Sequence, residues 1–331
     1  MPVFVTGATG FIGSHLVEAL VRNNEQVYAL ARKTSNRTDP LRKLGITLVD
    51  GDVTDASSLK GAMKDCDTVY HLANRYEMWM PDKSLFYKVN VEGTRNVLSE
   101  ALSAGVEKVV YTSAAEALGE KKGEIATEET QHSGVYLSEH CRTKYLGLME
   151  ALKLRDKGLP LVVVMPCAVI GPGDLKATGK LIVALLNQKL PGIFFGDSPI
   201  SFIHVKDIVE GHMLAAKKGK AGEKYILSSE ILKIREFFEA ICNVGKVPMP
   251  KREIPPAVCS MLAYMMEFSS FFTKTPPEMP LPMVRVMNHG MMFDNSKAKR
   301  ELGMKFTPIK DVLPETVEWY RTQGYAPDSR P

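Results

Sequence analysis

A glycine-rich turn near the N-terminus has the spacing that binds a dinucleotide pyrophosphate. The segment GATGFIG places three glycines after a short β-branched strand and at the start of a helical pattern. They allow a tight turn, a close approach of the backbone to the pyrophosphate, and close packing of helix on strand. The first N–H groups of the helix attract an anion. We therefore expect a nicotinamide dinucleotide to contact Gly7, Thr9, Gly10, Phe11, Ile12 and Gly13.

Two cations after the second predicted strand bear on which dinucleotide is bound. An acidic residue about 20 positions beyond the turn would accept hydrogen bonds from the ribose 2′-hydroxyl of NAD. This chain has Arg32 and Lys33 there, and Asp50 comes too late to serve. A guanidinium and an ammonium would attract a 2′-phosphate. We expect NADP as cofactor, with NAD as the alternative, although a solvated basic loop would also contain such cations.

The order of predicted elements indicates an α/β fold with a Rossmann-type, doubly wound parallel sheet. Helical stretches such as 91–104 and 143–153 separate the strand-like runs. Those runs are 3–5, 26–30, 47–49, 68–71, 108–112 and 161–165. After Pro166, dense Pro and Gly predict a smaller, mostly C-terminal substrate lobe. The predicted boundaries are 1–166 plus about 201–215 for the NAD(P)-binding domain, and about 167–200 and 216–331 for the interleaved lobe.

Composition excludes several classes of protein. The 331 residues carry a formal charge of only +4, without a run of Lys and Arg among aromatics, so we expect no nucleic-acid partner. The five scattered cysteines form no C-x-x-C pair, so we predict no metal site and a reduced, cytoplasmic setting. The N-terminus does not read as a signal peptide. A homodimer is possible.

One stretch, 255–272, is rich in Met and Phe. It is shorter than the roughly 20 apolar residues that a membrane-spanning helix needs, and it contains Glu267. We expect a helix that covers the substrate or joins the core, and we do not expect membrane contact, although amphipathic surface helices look similar. Met and aromatic side chains mould around apolar ligands, so Trp79 and Met261 are predicted to bind substrate, although they would serve equally in a core.

Eight segments resemble an extended short-chain dehydrogenase/reductase, in the family's order and spacing. They are GATGFIG (7–13), GDVTD (51–55), HLAN (71–74), NVEGTRNVL (90–98), VVYTSAAEALG (109–119), TKYLGLME (143–150), MPCAVIGPGD (165–174) and FIHVKD (202–207). This is the NAD-dependent epimerase/dehydratase superfamily. The chain is most similar to its dihydroflavonol-reductase-like branch, which includes hopanoid-associated and farnesol dehydrogenase-like members.

The resemblance implies roles for further residues. Asp52 and Val53 would contact the adenine, Ala73 would line the nicotinamide side, and Asn90 would be structural near the active site. Asn74 departs from the small residue usual in its position. The other cofactor contacts implied are Leu72, Asn74, Lys144 and Pro166.

The family's catalytic pattern is only partly present. It pairs a Ser or Thr with a Tyr and with a Lys four residues later, on one helix face. Lys144 matches the Lys, His140 stands in place of the Tyr, and Ala114 stands in place of the hydroxyl. Ser113 lies next to it, but an unshifted strand would point its side chain away from Ala114's. The predicted catalytic residues are His140, Lys144 and Ser113, with Ala114 facing the substrate.

Three functions remain open from the sequence. The first is an NAD(P)-dependent oxidoreductase acting on a carbonyl or alcohol of a small, apolar substrate. In it, His140 transfers the proton, since an imidazole has an ordinary pKa of about 6.5. The second is a non-catalytic NADP-binding sensor or scaffold. The third is an epimerase, lyase or decarboxylase that recycles a bound cofactor.

Overall fold

A computed structural model of the protein describes residues 1–35 and 37–327. Its strands are β1 (Pro2–Thr6), β2 (Gln26–Ala31), β3 (Thr47–Asp50), β4 (Thr68–His71), β5 (Lys108–Thr112), β6 (Ile125–Ala126), β7 (Leu161–Pro166), β8 (Ala168–Ile170), β9 (Ile193–Phe194), β10 (Pro199–His204), β11 (Lys224–Leu227), β12 (Glu230–Lys233), β13 (Glu253–Ile254) and β14 (Met292–Phe293).

Helices follow most of the strands. The α-helices are α1 (Phe11–Arg22), α2 (Asp39–Lys43), α3 (Ala56–Leu59), α4 (Ser84–Tyr87), α5 (Thr94–Ala104), α6 (Glu139–Arg155), α7 (Ala177–Leu186), α8 (Val205–Lys218), α9 (Ile234–Gly245), α10 (Pro256–Thr273), α11 (Leu281–His289) and α12 (Ile309–Thr322). π-Helical turns cover Lys88–Gly93 and Ala298–Leu302, and a 3₁₀ turn covers Ala115–Leu118.

The central sheet has seven parallel strands in the order β11, β7, β5, β4, β1, β2, β3. The chain runs outward from β1 to β3 and then returns to the other side of β1 with β4. This reversal leaves a crevice at the carboxyl ends of β1 and β4, where dinucleotides bind in such sheets. The predicted α/β, Rossmann-type parallel sheet is confirmed.

Neighbouring residues of β5 show that helices cover both faces of this sheet. The Thr112 hydroxyl is 2.7 Å from Nε2 of His212 on α8. The preceding Tyr111 points its hydroxyl toward Gly147 on α6. Successive side chains of a strand face opposite sides, so α8 and α6 lie on opposite faces. Burial on both sides explains why all six residues of β7 are buried and apolar.

The remaining elements form small sheets and helices around the end of the main sheet. β8, β10 and β12 make a three-stranded sheet, while β9 pairs with β13 and β6 with β14. The pairing of two strands differs from what the predicted boundaries of the two lobes imply. Residues 201–204 lie in the small sheet, because β10 pairs with β8 and β12. Residues 224–227, assigned to the lobe, are the edge strand β11, because they pair with β7. The last four residues of the predicted lobe, 328–331, lie outside the described residues.

Among the described residues there is neither a disulfide bond nor a cluster of metal-ligating side chains. All five cysteines are buried, free thiols. Within 1–35 and 37–327, no three His, Cys, Asp or Glu side chains come close enough together to hold a metal ion. In the same ranges, no helix combines the length and the apolarity needed to cross a bilayer.

Candidate active site

The glycine turn between β1 and α1 forms an open cradle at the crevice. Gly7 has a left-handed backbone with φ of +76°, and a Cβ there would lie 2.6 Å from the Ala73 nitrogen. A Cβ at Gly13 would lie 2.1 Å from the Gly7 carbonyl oxygen. Gly10 is exposed and caps α1 without a side-chain hydrogen bond. The first N–H groups of α1, from Phe11 onward, thus lack a side-chain cap, which fits an anionic pyrophosphate.

The end of β4 lies directly beside this cradle. The Leu72 nitrogen donates to the Thr6 carbonyl at 3.1 Å, and the Ala73 nitrogen donates to the Thr6 hydroxyl at 3.2 Å. Asn74 turns its amide back to the Leu72 carbonyl at 3.4 Å. The predicted cofactor residues Leu72 and Ala73 therefore meet the glycine turn, where a dinucleotide would pass from adenine to nicotinamide, and the exposed Asn74 follows them. Pro166 ends β7, two strands from β4.

The residues predicted at the adenine end also come together. Arg32 Nη1 lies 3.9 Å from an Asp52 carboxylate oxygen, and Lys33 Nζ lies 3.2 Å from Asp50. The side chains of Arg32 and Lys33 are 67% and 83% exposed. Such exposed pairs contribute little energy and are easily exchanged for another anion. Val53 follows Asp52 and is buried against Gly93.

Helix α6 supplies the predicted catalytic pair. Its N-cap Ser138 accepts a hydrogen bond from the Cys141 nitrogen at 3.0 Å, which fixes the start of the helix. His140 and Lys144 follow on one face, and both are buried. The Lys144 ammonium donates to the Thr112 carbonyl at 2.7 Å, at the end of β5. The predicted spacing therefore places both side chains at the carboxyl end of the sheet.

A close contact with the neighbouring helix brings α6 into this position. A Cβ at Gly147 would lie 2.3 Å from the Asn90 carbonyl oxygen, so only glycine allows the approach. Asn90 lies in the π-helical turn before α5 and is 1% exposed. Its amide oxygen accepts from the Arg75 nitrogen at 2.6 Å, and its amide nitrogen donates to the Arg75 carbonyl at 3.1 Å and to the Thr143 hydroxyl at 3.0 Å. Asn90 thereby joins the loop after β4 to α6.

The environment of His140 fixes its tautomer and its charge. Nδ1 lies 3.3 Å from the Arg75 carbonyl oxygen. A carbonyl can only accept, so Nδ1 carries the hydrogen and Nε2 carries the lone pair. Burial and then the Lys144 charge lower the pKa of His140 to about 3. The expected ionisation of His140 near neutral pH is therefore wrong for this environment, because the sequence could not show how deeply the ring is buried.

Lys144 and Glu116 are electrostatically coupled. Burial lowers the pKa of Lys144 to about 7, while the Glu116 carboxylate acts in the opposite direction. Burial likewise raises the pKa of Glu116, and Lys144 opposes that shift. Glu116 lies in the 3₁₀ turn after β5 and is partly buried. Sequence reasoning missed it, although an acid inside the apolar segment SAAEALG is a usable signal.

Ser113 and Ala114 do not complete a hydroxyl site at His140. Ser113 lies on the Tyr111 face of the strand, and its hydroxyl is buried without a hydrogen-bond partner among the described residues. Ala114 is buried and leads into the 3₁₀ turn. The cavity beside His140 is lined by neither residue. Strand alternation puts Ser113 on the same face of β5 as Tyr111, whose hydroxyl points toward Gly147 of α6.

A cavity of about 360 Å³ lies beside His140, between the loop after β4, α6 and the helices α10 and α11. Trp79, predicted to bind substrate, lines it, and Glu267 and Arg285 close it from α10 and α11. The walls mix apolar and charged groups, whereas the sequence suggested an apolar cleft. The apolar part consists of Met78, Trp79, Met80, Phe86, Leu281 and Pro282.

Met261 does not line this cavity. It is 56% exposed, on the outer side of α10, whereas Glu267 of the same helix faces inward. Six residues along a helix correspond to about 120° of rotation, which puts the two side chains on different faces. Met261 therefore contributes nothing to the wall of this cavity, and its predicted contact with substrate stays a prediction.

Comparison with known proteins identifies the family to which this site belongs. The sequence model of the NAD dependent epimerase/dehydratase family matches residues 3–228. The chain belongs to this family. It is 34% identical to a putative dihydroflavonol 4-reductase of Synechocystis sp., over 97% of this chain and 95% of the relative. It is 29% identical to sterol demethylase protein B of Methylococcus capsulatus, over 98% and 99%.

A solved structure has the same fold as this protein over nearly the whole chain. The crystal structure of gox2253 has a TM-score of 0.84 and 33% sequence identity, covering 98% of this chain and 99% of that chain. The predicted resemblance to the epimerase/dehydratase superfamily is confirmed. The protein is an NAD(P)-dependent oxidoreductase of the extended short-chain type.

Proposed function

We propose that the protein is an NADP-dependent dehydrogenase/reductase in which His140 takes the place of the usual tyrosine as the proton-transfer group. The observation that carries this proposal is the position of His140. Its ring lines the cavity, and its Nδ1 is held by the Arg75 carbonyl. Lys144 follows four residues later and is anchored to the end of β5. No other histidine among the described residues lines this cavity.

The tautomer of His140 determines which proton step it performs. A nicotinamide dinucleotide held at the glycine turn would supply hydride transfer, from an alcohol carbon or to a carbonyl carbon. Nε2 of His140 is free to accept the hydroxyl proton as the C–H bond breaks and the carbonyl forms. In the reverse direction the same nitrogen returns the proton to the carbonyl oxygen. A pKa of about 3 keeps the ring neutral at physiological pH, which is the form that can accept a proton, and the same burial makes the ring a weak base.

The substrate we propose is a secondary alcohol or ketone with a largely apolar body. Trp79, Met80 and Phe86 offer an apolar wall, and burial against it supplies affinity. Arg285 and Glu267 on the opposite side suit a polar substituent. The relative named sterol demethylase protein B supports a polycyclic, apolar substrate class.

Two exposed cations support NADP over NAD. Arg32 and Lys33 lie at the end of β2, where the adenosine ribose is held in such sheets. Their present partners Asp52 and Asp50 are exposed as well, so a 2′-phosphate displaces only weak ion pairs.

The test replaces His140 with Ala and compares turnover with cofactor affinity. The probes are a panel of 3-hydroxysteroids and simpler secondary alcohols, with NADPH formation followed by absorbance. A general acid/base group contributes roughly 100- to 10,000-fold, so turnover falls by that range while the Kd for NADPH changes less than threefold. His132→Ala is the matched control, because its ring is partly exposed and does not line the cavity.

The pH profile adds a second measurement. We expect the pH profile of turnover to show a step near pH 7, because the pKa of Lys144 is lowered to about 7. The same step should persist in the residual activity of the His140→Ala variant. Full activity of His140→Ala would overturn the assignment of the proton-transfer group. Tight NADPH binding without turnover of any probe would favour the sensor instead. Turnover without exchange of the bound cofactor would favour an epimerase, lyase or decarboxylase.

A further inference from the structure

Helix α10 buries its small side chains and exposes its large apolar ones, which is the opposite of the usual arrangement. Small side chains face the protein: Cys259 and Ala263 are fully buried, and Ser270 nearly so. Large apolar side chains face outward, and six of them are more than half exposed. The outward set is Val258, Met261, Tyr264, Met265, Phe268, Phe271 and Phe272, which we call the α10 outer face. Monomeric proteins rarely expose a contiguous apolar patch of this kind without using it.

The α10 outer face is one continuous, uncharged surface. At 100° per residue its members fall within an arc of about 140°. The helix has 18 residues and is about 27 Å long. Its one charged residue, Glu267, points to the cavity on the inner side. The face therefore offers a broad, largely apolar stripe in which the Tyr264 hydroxyl is the one polar side-chain group.

Cations lie at both ends of this stripe. Lys251 and Arg252 are exposed shortly before α10, and Lys274 is exposed at its C-cap. The Lys274 ammonium lies 4.9 Å from the centre of the Phe271 ring. The neighbouring acid Glu253 is paired with Arg235 at 2.6 Å. An apolar helical face flanked by basic residues is the arrangement of helices that lie in the interface of an anionic membrane.

The geometry points to the surface of an anionic lipid bilayer as the partner of the α10 outer face. Helix α10 lies parallel to the bilayer, with Phe268 and its neighbours among the upper acyl chains and the three cations at the headgroups. A second copy of the chain is a poorer partner. In a two-fold contact between α10 helices, Lys274 meets Lys251 and Arg252 if the helices are antiparallel, and meets Lys274 if they are parallel. Like charges oppose both arrangements, whereas anionic headgroups neutralise all three cations.

This docking places the cavity next to the membrane. Glu267 faces the cavity from the same helix whose outer face contacts lipid, and α11 packs against α10 while lining the cavity with Leu281 and Arg285. An apolar substrate dissolved in the bilayer would then enter between α10 and α11. This last step rests on the proposed function, whereas the lipid contact itself does not.

The experiment measures binding of the full-length protein to lipid vesicles without substrate. Vesicles of phosphatidylcholine with phosphatidylglycerol are compared with vesicles of phosphatidylcholine alone, by sedimentation. We expect binding to the anionic vesicles, and a loss of roughly tenfold in affinity for Phe268→Ser, since one buried aromatic side chain is removed. Ile125→Ser is the matched control, because Ile125 is also an exposed apolar residue but lies in the small β6–β14 sheet.

A charge-reversed variant and a depth probe complete the test. Lys251→Glu with Lys274→Glu should abolish the preference for anionic vesicles. Phe268→Trp should show fluorescence quenched by brominated acyl chains, beyond the quenching of the wild-type protein. Equal vesicle binding by Phe268→Ser and Ile125→Ser would overturn the proposal. So would a dimer in solution that Phe268→Ser converts to monomers while no vesicles are bound. Vesicle binding with no turnover of any probe would keep this proposal and reject the function proposed above.

Discussion

The preference for NADP depends on single side chains at the end of β2. The guanidinium of Arg32 can form charge-assisted hydrogen bonds with a phosphate, worth about 1.5 to 3 kcal/mol. We expect Arg32→Ala to raise the Kd for NADPH at least tenfold and to leave the Kd for NADH unchanged, as measured by calorimetry. Lys43→Ala, which removes an exposed cation from α2, serves as control. An equal effect of Arg32→Ala on both dinucleotides would contradict the assignment.

For single residues, the sequence predicts the spacing of side chains along one helix, but it does not predict contacts between residues that are far apart in the chain. His140 and Lys144 follow from a helical period, so the sequence places them together without a fold. The carbonyl that orients His140 belongs to Arg75, 65 residues away, and only the packing of the β4 loop against α6 brings it there. Glu116 depends on the same kind of packing. Burial decides the charge of each group, and neither burial nor its effect on the pKa of His140 can be read from residue types.

At the scale of elements, the π-helical turn before α5 orients the loop and the helix that form the site. Asn90 makes its three hydrogen bonds from this turn, two to Arg75 and one to Thr143. Asn90→Ala leaves the backbone N–H and carbonyl of Arg75 without their side-chain partner and frees the carbonyl that holds His140. We expect turnover to fall at least tenfold while the Kd for NADPH changes little.

The comparison variants separate positioning from general damage to the fold. Asn187→Ala removes a side chain that also makes two hydrogen bonds, to Val183 and Tyr325, far from the cavity. It should lower the melting temperature without a specific loss of turnover. Asn90→Asp keeps an acceptor for the Arg75 nitrogen but loses the two donated bonds, so its activity should be intermediate. Equal turnover in Asn90→Ala and Asn187→Ala would remove Asn90 from the site.

Two secondary-structure elements, α10 and β11, show which features the sequence does not predict. The helical stretch 255–272 was found almost to the residue, as α10 at 256–273. Its orientation was not, because almost every side of it is apolar and the small residues alone distinguish the inner face. The strand β11 was assigned to the lobe because KYIL is short and comes long after the other sheet strands. Only its pairing with β7 reveals where it belongs.

For the whole molecule, buried neutral histidines make stability depend on pH. His212 is buried between the sheet and α8, donates to the Ile208 carbonyl at 2.8 Å and accepts from Thr112. Burial lowers its pKa from 6.5 to about 4. As the pH falls below 6.5, the unfolded chain gains a proton that the folded protein gains only near pH 4. Stability is therefore lost as the pH falls through this window, by about 2 kcal/mol at pH 5 for this one residue.

The variant His212→Gln tests this linkage. Gln cannot titrate, so the decrease in unfolding free energy between pH 7 and pH 5 should be about 2 kcal/mol smaller than in the wild type. His132→Gln, at a partly exposed ring, should change the slope less. Buried acids with raised pKa values, such as Glu120, act in the opposite direction in all three proteins and cancel in the comparison. Parallel pH curves for wild type and His212→Gln would show that the pKa of His212 is the same in the folded and unfolded protein, and would contradict this prediction.

The late position of β11 in the chain also bears on how the protein is made on the ribosome. When the first 166 residues have emerged during translation, six strands of the central sheet are present. Strand β7 is then an unpaired edge, although all six of its residues are buried in the complete fold. The strand that closes this edge emerges only after residues 167–223, which build part of the other lobe. An open apolar edge pairs readily with other chains. We therefore expect a chain truncated at Pro166 to expose β7 as an edge that other chains can pair with, and the nascent chain to have the same exposed edge until β11 has been synthesised.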